Sequence, residues 1–456
     1  MTATGTSVTG STSTSARGGL ARSLGLVALV GLGLGYMTPT VVFDTFGIVS
    51  DTTGGAVPSA YLLALVVMAL TATSYGKLVA VFPSAGSAYT YVREVMHPNV
   101  GFMVGWSSLL DYLLLPMVNA LIVKLYVEQV FPSVPSWLVV VVYTVCTTTL
   151  VAVTMRGTSK VNLVLLAAAV TVMAVFVVIA SYQLLQGEGA GTLVSARAFA
   201  GPETTLPLVL TGATVVCFSF IGFDAVTMYA EEAKTPRTLP RAIMLTVLLG
   251  GAIFLVAAYV TQLRFPDNGP FGEFTDDPLP QIGHLVGGPL FQALLVGAAF
   301  VATVASGLAS HASVARMLLV MGRNGALPGR GLRWVSPRTH TPVINIIIVG
   351  AVCLLAVDFS LELISACINF GALVAFTFVN ASVIAHFAVR RREVRTPREV
   401  LRNVVVPAVA TLLTAALWTQ LHSDALVAGG VWAAIGLVYL LVYTRGLRRP
   451  MASLEE

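Results

Sequence analysis

Apolar runs of roughly 18 residues or more recur from one end of this chain to the other, and they restrict the fold more than any other feature. A run of that length crosses the hydrocarbon core of a bilayer as a helix, where every backbone polar group must find its partner inside the protein. About twelve such spans can be read, at 24–49, 58–81, 100–131, 136–154, 161–186, 206–229, 242–263, 289–319, 342–358, 361–387, 403–421 and 425–444. Charged residues make up only 10% of the chain, against about 25% in an ordinary soluble domain. The expected fold class is therefore an all-α integral membrane protein, and a single membrane anchor is excluded.

Two of these spans carry interruptions. The first contains Gly31-Leu32-Gly33-Leu34-Gly35-Tyr36-Met37-Thr38-Pro39-Thr40, three glycines at alternate positions followed by a proline. The sixth contains Phe220-Ile221-Gly222-Phe223 and then Asp224, an acid at membrane depth. Non-helical backbone inside a membrane survives only where it lines a protected cavity. Two broken spans in corresponding positions of two halves point to the substrate site of a transporter.

The basic residues set the orientation. With the amino terminus inside, every Lys and Arg except Lys124, Arg197 and Arg264 falls in an inner segment. That asymmetry predicts both termini on the cytoplasmic side of the cell membrane. The net charge of +5 then reports orientation and gives no reason to expect a nucleic-acid partner. Residues 1–21, rich in Ser, Thr and Gly, are expected to form a disordered cytoplasmic tail, with no cleaved signal peptide. Polar segments 83–98 and 322–340 are too hydrophilic to span and are expected as short interfacial helices or gates. The acids of the outer loops, Asp267 and Asp277 among them, form either a solvated surface or a vestibule that gathers cations.

Charged groups within spans are costly and so are functional candidates by default. Asp44, Asp111 and Asp224 qualify. Asp224 follows the sixth-span break at the expected start of a second half-helix, where it either presents a fixed charge to a cationic substrate or caps that half-helix. Asp111 and Tyr112 are adjacent midway along the third span. Neighbouring helical positions point ~100° apart, so at most one aims squarely at a central cavity. Tyr112 can pack on an aliphatic chain or make a cation–π contact, and Asp111 can tie two helices together. Asp44 is expected as a second anion or as the lip of the entrance.

Around the first break, Pro39 has no N–H to offer a carboxylate, whereas carbonyls released at Gly33 to Tyr36 could accept from an ammonium. This favours an amine over an amino acid. His311 suits proton coupling by its ordinary titration range but can equally be a structural group, and Asn369 can bind substrate or tie helices. The four cysteines have no disulfide or metal-ligand spacing, and no His-Glu-x-x-His, Gly-x-Ser-x-Gly or Walker pattern is present, so no metal, cofactor or enzyme activity is expected.

The chain resembles the amino acid–polyamine–organocation superfamily, and within it the bacterial putrescine importers. The resemblance rests on residues 35–50 of the first span, Gly101–Trp106 through Asp111-Tyr112, Cys217–Val226, Ala305–Ser313 and Ile368–Thr377. It implies two inverted five-helix repeats, at 22–200 and 201–388, then two extra helices at 389–445 and a cytoplasmic tail at 446–456. It also implies a central site lined by Tyr36, Met37, Thr38, Pro39, Phe220, Gly222 and Asp224 with Tyr112 beside it. Asp224, Glu231 and His311 are the coupling candidates. One departure is that many members carry a lysine midway along the fifth span, where this chain reads Leu165–Thr171, so their coupling mechanism is not carried over. The expected function is alternating-access import of putrescine or a related aliphatic diamine, driven by protons. The alternative is a permease or exchanger for a cationic amino acid or 4-aminobutyrate on the same scaffold. The sequence leaves the oligomeric state open.

Overall fold

The computed structural model describes residues 24–84, 87–153, 158–201, 203–230, 232–235, 237–275, 277–339, 341–448 and 451. The expected tail at 1–21 and the coupling candidate Glu231 lie outside the described residues. The first span is broken into α1 (Leu26–Met37), α2 (Val41–Asp44) and α3 (Phe46–Thr53). There follow α4 (Val57–Val81), a short α5 (Ser87–Val95), α6 (Pro98–Val130), α7 (Ser136–Val153) and α8 (Thr158–Leu185). The sixth span is α9 (Leu206–Phe220) followed by a 3₁₀ turn, Ala225–Tyr229. Then come α10 (Thr238–Arg264), α11 (Leu279–Arg323), α12 (Val343–Cys353), α13 (Leu361–Ile384), α14 (Pro397–Val400), α15 (Val406–Trp418) and α16 (Ser423–Tyr443).

Among the described residues, eleven helical segments are long and apolar enough to cross a membrane. The span expected at 342–358 is the short apolar segment Val343–Val357. α11 is longer than the run at 289–319 because an outer helical piece joins it across a kink at Gly287 and Gly288, just before Pro289.

Burial ranks the spans. The share of buried residues falls from 83% in the first span to 22% in α16, so the interrupted first span runs through the middle and the last helix faces lipid. α16 is held to α6 by a reciprocal pair of bonds, in which the Trp106 indole N–H donates to the Trp432 carbonyl (2.8 Å) and the Trp432 N–H to the Trp106 carbonyl (2.7 Å). Each indole thus finds an acceptor although apolar lipid offers none.

Two sequence expectations change here. The first is that segment 83–98 forms an interfacial helix, whereas α5 is folded into the protein, with Tyr89 and Tyr91 buried. Glycine makes that packing possible, since a Cβ at Gly105 would stand 2.7 Å from the Tyr89 ring.

The second concerns the three glycines of the first span, which lie inside continuous helix. A Cβ on Gly33 would stand 2.7 Å from Thr246 and 2.8 Å from Val226, so this glycine permits close approach of α1 to α10 and to the 3₁₀ turn. The helix breaks later, at Thr38, where Pro39 keeps the preceding residue out of right-handed helix and Thr38 takes a left-handed conformation (φ 48°). The carbonyls without an intrahelical partner are consequently those of residues 34–37, one position beyond those expected.

Candidate functional site

The two breaks meet. Gly222 has φ +127°, a conformation that favours glycine, and a Cβ there would lie 2.6 Å from the Tyr36 ring. Glycine therefore lets the Tyr36 ring lie directly on the unwound backbone of the sixth span. On the other side of the first break, Ser306 of α11 donates its hydroxyl to the Tyr36 carbonyl (2.9 Å). Polar main chain is thus exposed at mid-span and is partly satisfied by a neighbouring helix.

Beside this junction sits Asp224, buried and doubly held. Its Oδ2 accepts from the Tyr112 hydroxyl (2.8 Å), and its Oδ1 faces the Gly222 N–H (3.3 Å). Its side chain does not cap the segment that follows. That segment is a five-residue 3₁₀ turn instead of the expected half-helix, because the described residues between Ala225–Tyr229 and α10 are irregular. So short a turn carries little dipole, and the negative charge is stabilised chiefly by individual donors.

Asp111 is within electrostatic reach of Asp224. It is 2% exposed, and its Oδ1 has no hydrogen-bond partner. The helix tie expected of it is not made. Asp111 instead presses on the backbone of α13, where a Cβ at Gly371 would fall 2.9 Å from the Asp111 Cβ. A buried acid without a partner is a costly feature, and a cation would satisfy it. Tyr36 also stands within the field of both carboxylates.

Aromatic side chains surround the acids. Tyr75 packs edge-on against Phe223 (5.6 Å between centroids) and Phe376 (6.0 Å), and Phe223 lies 5.3 Å from Phe376. Sequence reading missed Tyr75, Tyr91, Phe376 and Ser306, because helices apolar on every side give no periodic signal for the inward face. Phe220 is placed differently from expectation. It is packed with Tyr61 (6.4 Å) and Phe254 (5.4 Å) between α4 and α10. Phe218 and Ile221 take its place beside Tyr36, Met37 and Thr38 in lining a narrow void with room for about one water.

Pro39 lies in the turn between α1 and α2. Around it the Val41 N–H bonds the Thr38 carbonyl and the Phe43 N–H bonds the Thr40 carbonyl, both at 2.9 Å. Those two amides are therefore engaged, and Pro39 has none.

The other candidates make contacts of their own. Asn369 of α13 donates to the carbonyls of Thr214 (3.0 Å) and Val215 (3.4 Å) and so ties α13 to α9. His311 pairs through Nε2 with the Ile346 carbonyl of α12 (2.9 Å), which requires a proton on that nitrogen. Asp44 accepts from the Tyr126 hydroxyl (2.7 Å) on the side of the break nearer the loops expected to be outer, and its Oδ2 is buried without a partner.

The protein is closed on both sides of this layer. At the end expected to be cytoplasmic, Glu232 pairs with Arg316 (3.0 Å), whose guanidinium lies 4.9 Å from the Tyr229 ring centroid. Leu24 forms two backbone bonds there, with Glu232 and Lys234 (3.0 Å each). At the opposite end Asn268 donates to the Gly47 carbonyl (2.8 Å) and to Asp51 (2.6 Å). The outer-loop acids, expected either as a solvated surface or as a vestibule, are partly used up. Asp277 is buried and Asp267 accepts from the Gly269 N–H (2.9 Å), while Asp276 lies outside the described residues.

Comparison with known proteins gives the family. The sequence model described as "Amino acid permease" matches residues 28–441. The chain is 47% identical over 442 residues to the low-affinity putrescine importer PlaP of Escherichia coli K12, covering 96% of this chain and 97% of that protein. It is 28% identical over 385 residues to the vacuolar cationic amino acid transporter 4 of Arabidopsis thaliana, covering 80% and 63% of the two chains. Against the branched-chain amino acid permease BcaP of Bacillus subtilis it is 25% identical over 463 residues, with 95% of each chain covered. The chain is a multi-pass membrane transporter of the amino acid permease family, within the amino acid–polyamine–organocation superfamily.

Proposed function

We propose that the protein imports putrescine or a related aliphatic diamine across the cell membrane, with both termini cytoplasmic, by alternating access coupled to the proton gradient. The observation that carries this reading is the pair of buried acids within electrostatic reach of each other, Asp224 held by Tyr112 and Asp111 with an unpartnered oxygen. A diamine brings two ammonium groups separated by an apolar chain. Asp224 takes one ammonium and Asp111 the other, and the aromatic rings around them pack against the methylenes. This differs from a scheme in which the first-span carbonyls supply the second pole, because the Tyr36 carbonyl is already bonded to Ser306. The likeness to the E. coli putrescine importer supports the same substrate class.

The break in the first span supports an amine over an amino acid. A carboxylate needs free amides at the start of a half-helix, and here Pro39 has none and two neighbours bond within the turn. The relative among cationic amino acid transporters keeps a second reading in play, in which the substrate carries one carboxylate.

Reconstituted protein in proteoliposomes, under separately imposed proton and sodium gradients, distinguishes the cases. Labelled putrescine is expected to accumulate under an inward proton gradient and to be displaced by diamines but not by arginine, lysine or 4-aminobutyrate. Displacement by amino acids in preference to diamines would select the second reading. Absence of uptake under either gradient would refute both. Asp224→Asn is expected to abolish uptake at ordinary substrate concentrations, and wild-type uptake at equal surface expression would remove Asp224 from the site.

A further inference from the structure

A second cavity, apart from the broken spans, lies at the other end of several helices. It has a volume of about 660 Å³ and is bounded by the carboxyl end of α4, the start of α10, and two π-helical turns, Ala385–Arg390 and Leu401–Val405. That volume falls within the usual range of ligand pockets, roughly 300–1,000 Å³. Every bounding segment ends where basic residues concentrate, which is the cytoplasmic side if the termini lie inside.

The lining is divided. Gly76, Pro240 and Phe387 belong to its apolar part, and three cations, Lys77, Arg398 and Arg402, stand on it with no acid among the lining residues. The Lys77 ammonium donates to the Arg402 carbonyl and to Asn403 Oδ1, which uses two of its three N–H groups. The nearest acid in sequence, Glu399, is engaged in a capping box, its Oε2 accepting from the amides of Arg395 (2.9 Å) and Thr396 (3.0 Å), and among the described residues it makes no ion pair with the three cations. Arg398 and Arg402 are exposed. Three cations on an apolar floor at the membrane boundary call for a ligand with an anionic head and a hydrocarbon body. The two π turns set backbone at this place out of regular α-helix, as at many functional sites.

We propose that this groove binds an anionic phospholipid of the inner leaflet, its phosphodiester on Lys77, Arg398 and Arg402 and an acyl chain along the apolar lining. The groove joins α4 and α10, which flank the first break, to α15. Occupancy therefore braces those helices from the lipid side.

The test uses the purified, delipidated full chain and native mass spectrometry with added phosphatidylglycerol or phosphatidylcholine of matched chains. Wild type is expected to hold one phosphatidylglycerol at least about tenfold more tightly than phosphatidylcholine. Each cation removed is expected to cost about fivefold, so R398Q/R402Q loses ~25-fold toward phosphatidylglycerol and little toward phosphatidylcholine. Both arginines are exposed, so this variant is expected to melt like wild type in zwitterionic lipid. A second variant, Ala80→Trp, fills the groove without touching charge and is expected to weaken both lipids. Equal affinity of wild type for the two lipids, or unchanged phosphatidylglycerol binding by R398Q/R402Q, would overturn the proposal. So would displacement of the lipid by inorganic phosphate, which would mark a site for free anions.

Discussion

Replacing Asp111 by Asn is expected to stabilise the empty protein while impairing transport. The side chain is 2% exposed, its Oδ1 has no partner, and a second carboxylate lies close by. A buried polar atom left unsatisfied costs about 1–3 kcal/mol, and more when it is charged. Asn keeps the shape and removes the charge, so the substrate-free variant should gain on the order of 1–3 kcal/mol. With putrescine bound the sign reverses. Removing one member of a buried ion pair costs about 3–5 kcal/mol, which corresponds to a roughly 10²- to 10⁴-fold weaker Kd. Butylamine, with a single ammonium seated on Asp224, should lose little. The assays are thermal unfolding of the purified chain without substrate and equilibrium binding of both amines. A variant less stable than wild type, or one that loses the two amines equally, would refute the assignment of Asp111 as the second pole.

Four further substitutions test the rest of the site. Tyr112→Phe removes the hydroxyl that holds Asp224 Oδ2 at 2.8 Å, a bond to a charged group worth about 1.5–3 kcal/mol; KM for putrescine should rise at least tenfold, and an unchanged KM would detach Tyr112 from the site. Gly222→Ala forces a Cβ to within 2.6 Å of the Tyr36 ring at φ +127°, so uptake at equal expression should fall to background, and near-normal transport would show that the junction tolerates separation. Arg316→Gln breaks the pair with Glu232 and should speed hydrogen exchange over residues 225–230; unaltered exchange would remove this pair from the closure. His311→Gln keeps a donor for the Ile346 carbonyl and should leave the pH profile of uptake unchanged, whereas a shifted profile would return His311 to the coupling path.

The sequence displays its span count because length and apolarity follow directly from the bilayer. Residues 57–81 and 136–153 are helical almost exactly where the runs at 58–81 and 136–154 begin and end. It displays the sixth-span break because only glycine tolerates φ +127° readily, and Gly222 stands beside an acid. The first-span glycines mislead for a physical reason. In lipid a glycine serves close helix approach as often as it weakens a helix, and Gly33 is packed against Thr246 and Val226. The decisive residue is Pro39, which acts on its predecessor Thr38.

The resemblance sets Tyr112 beside the site, but the bonds made to the acids are not legible. Tyr112 reaches Asp224 across 112 positions of sequence, and Tyr126 reaches Asp44 across 82. A soluble helix marks its inner face by amphipathic contrast, but spans such as α6 and α13 are apolar nearly all round. Tyrosine in such a span reads the same whether it packs or binds. What separates Asp111 from Asp224 is the absence of a partner for one oxygen, and only the assembled structure shows that.

The two closures differ in kind, and that difference bears on how the site can alternate. On the expected cytoplasmic side the seal is an ion pair, Arg316 with Glu232, whose side chains are 13% and 19% exposed, together with two backbone bonds from Leu24. The Glu232 oxygen that makes the pair is itself shielded from solvent, so the pair is held more firmly than an exposed surface pair, and parting the ends requires water to enter first. On the opposite side Tyr126 is bonded to Asp44 and the 266–277 loop lies on α3, where a Cβ at Gly47 would strike the Thr275 carbonyl. That seal is neutral packing and buried bonds, so it opens only if a whole segment moves. Thr38 to Thr40 interrupt the helical ladder between α1 and the segment α2–α3. Asp44 rides on that segment. Its Oδ2 is a buried carboxylate oxygen without a hydrogen-bond partner, on the far side of the first break from α1.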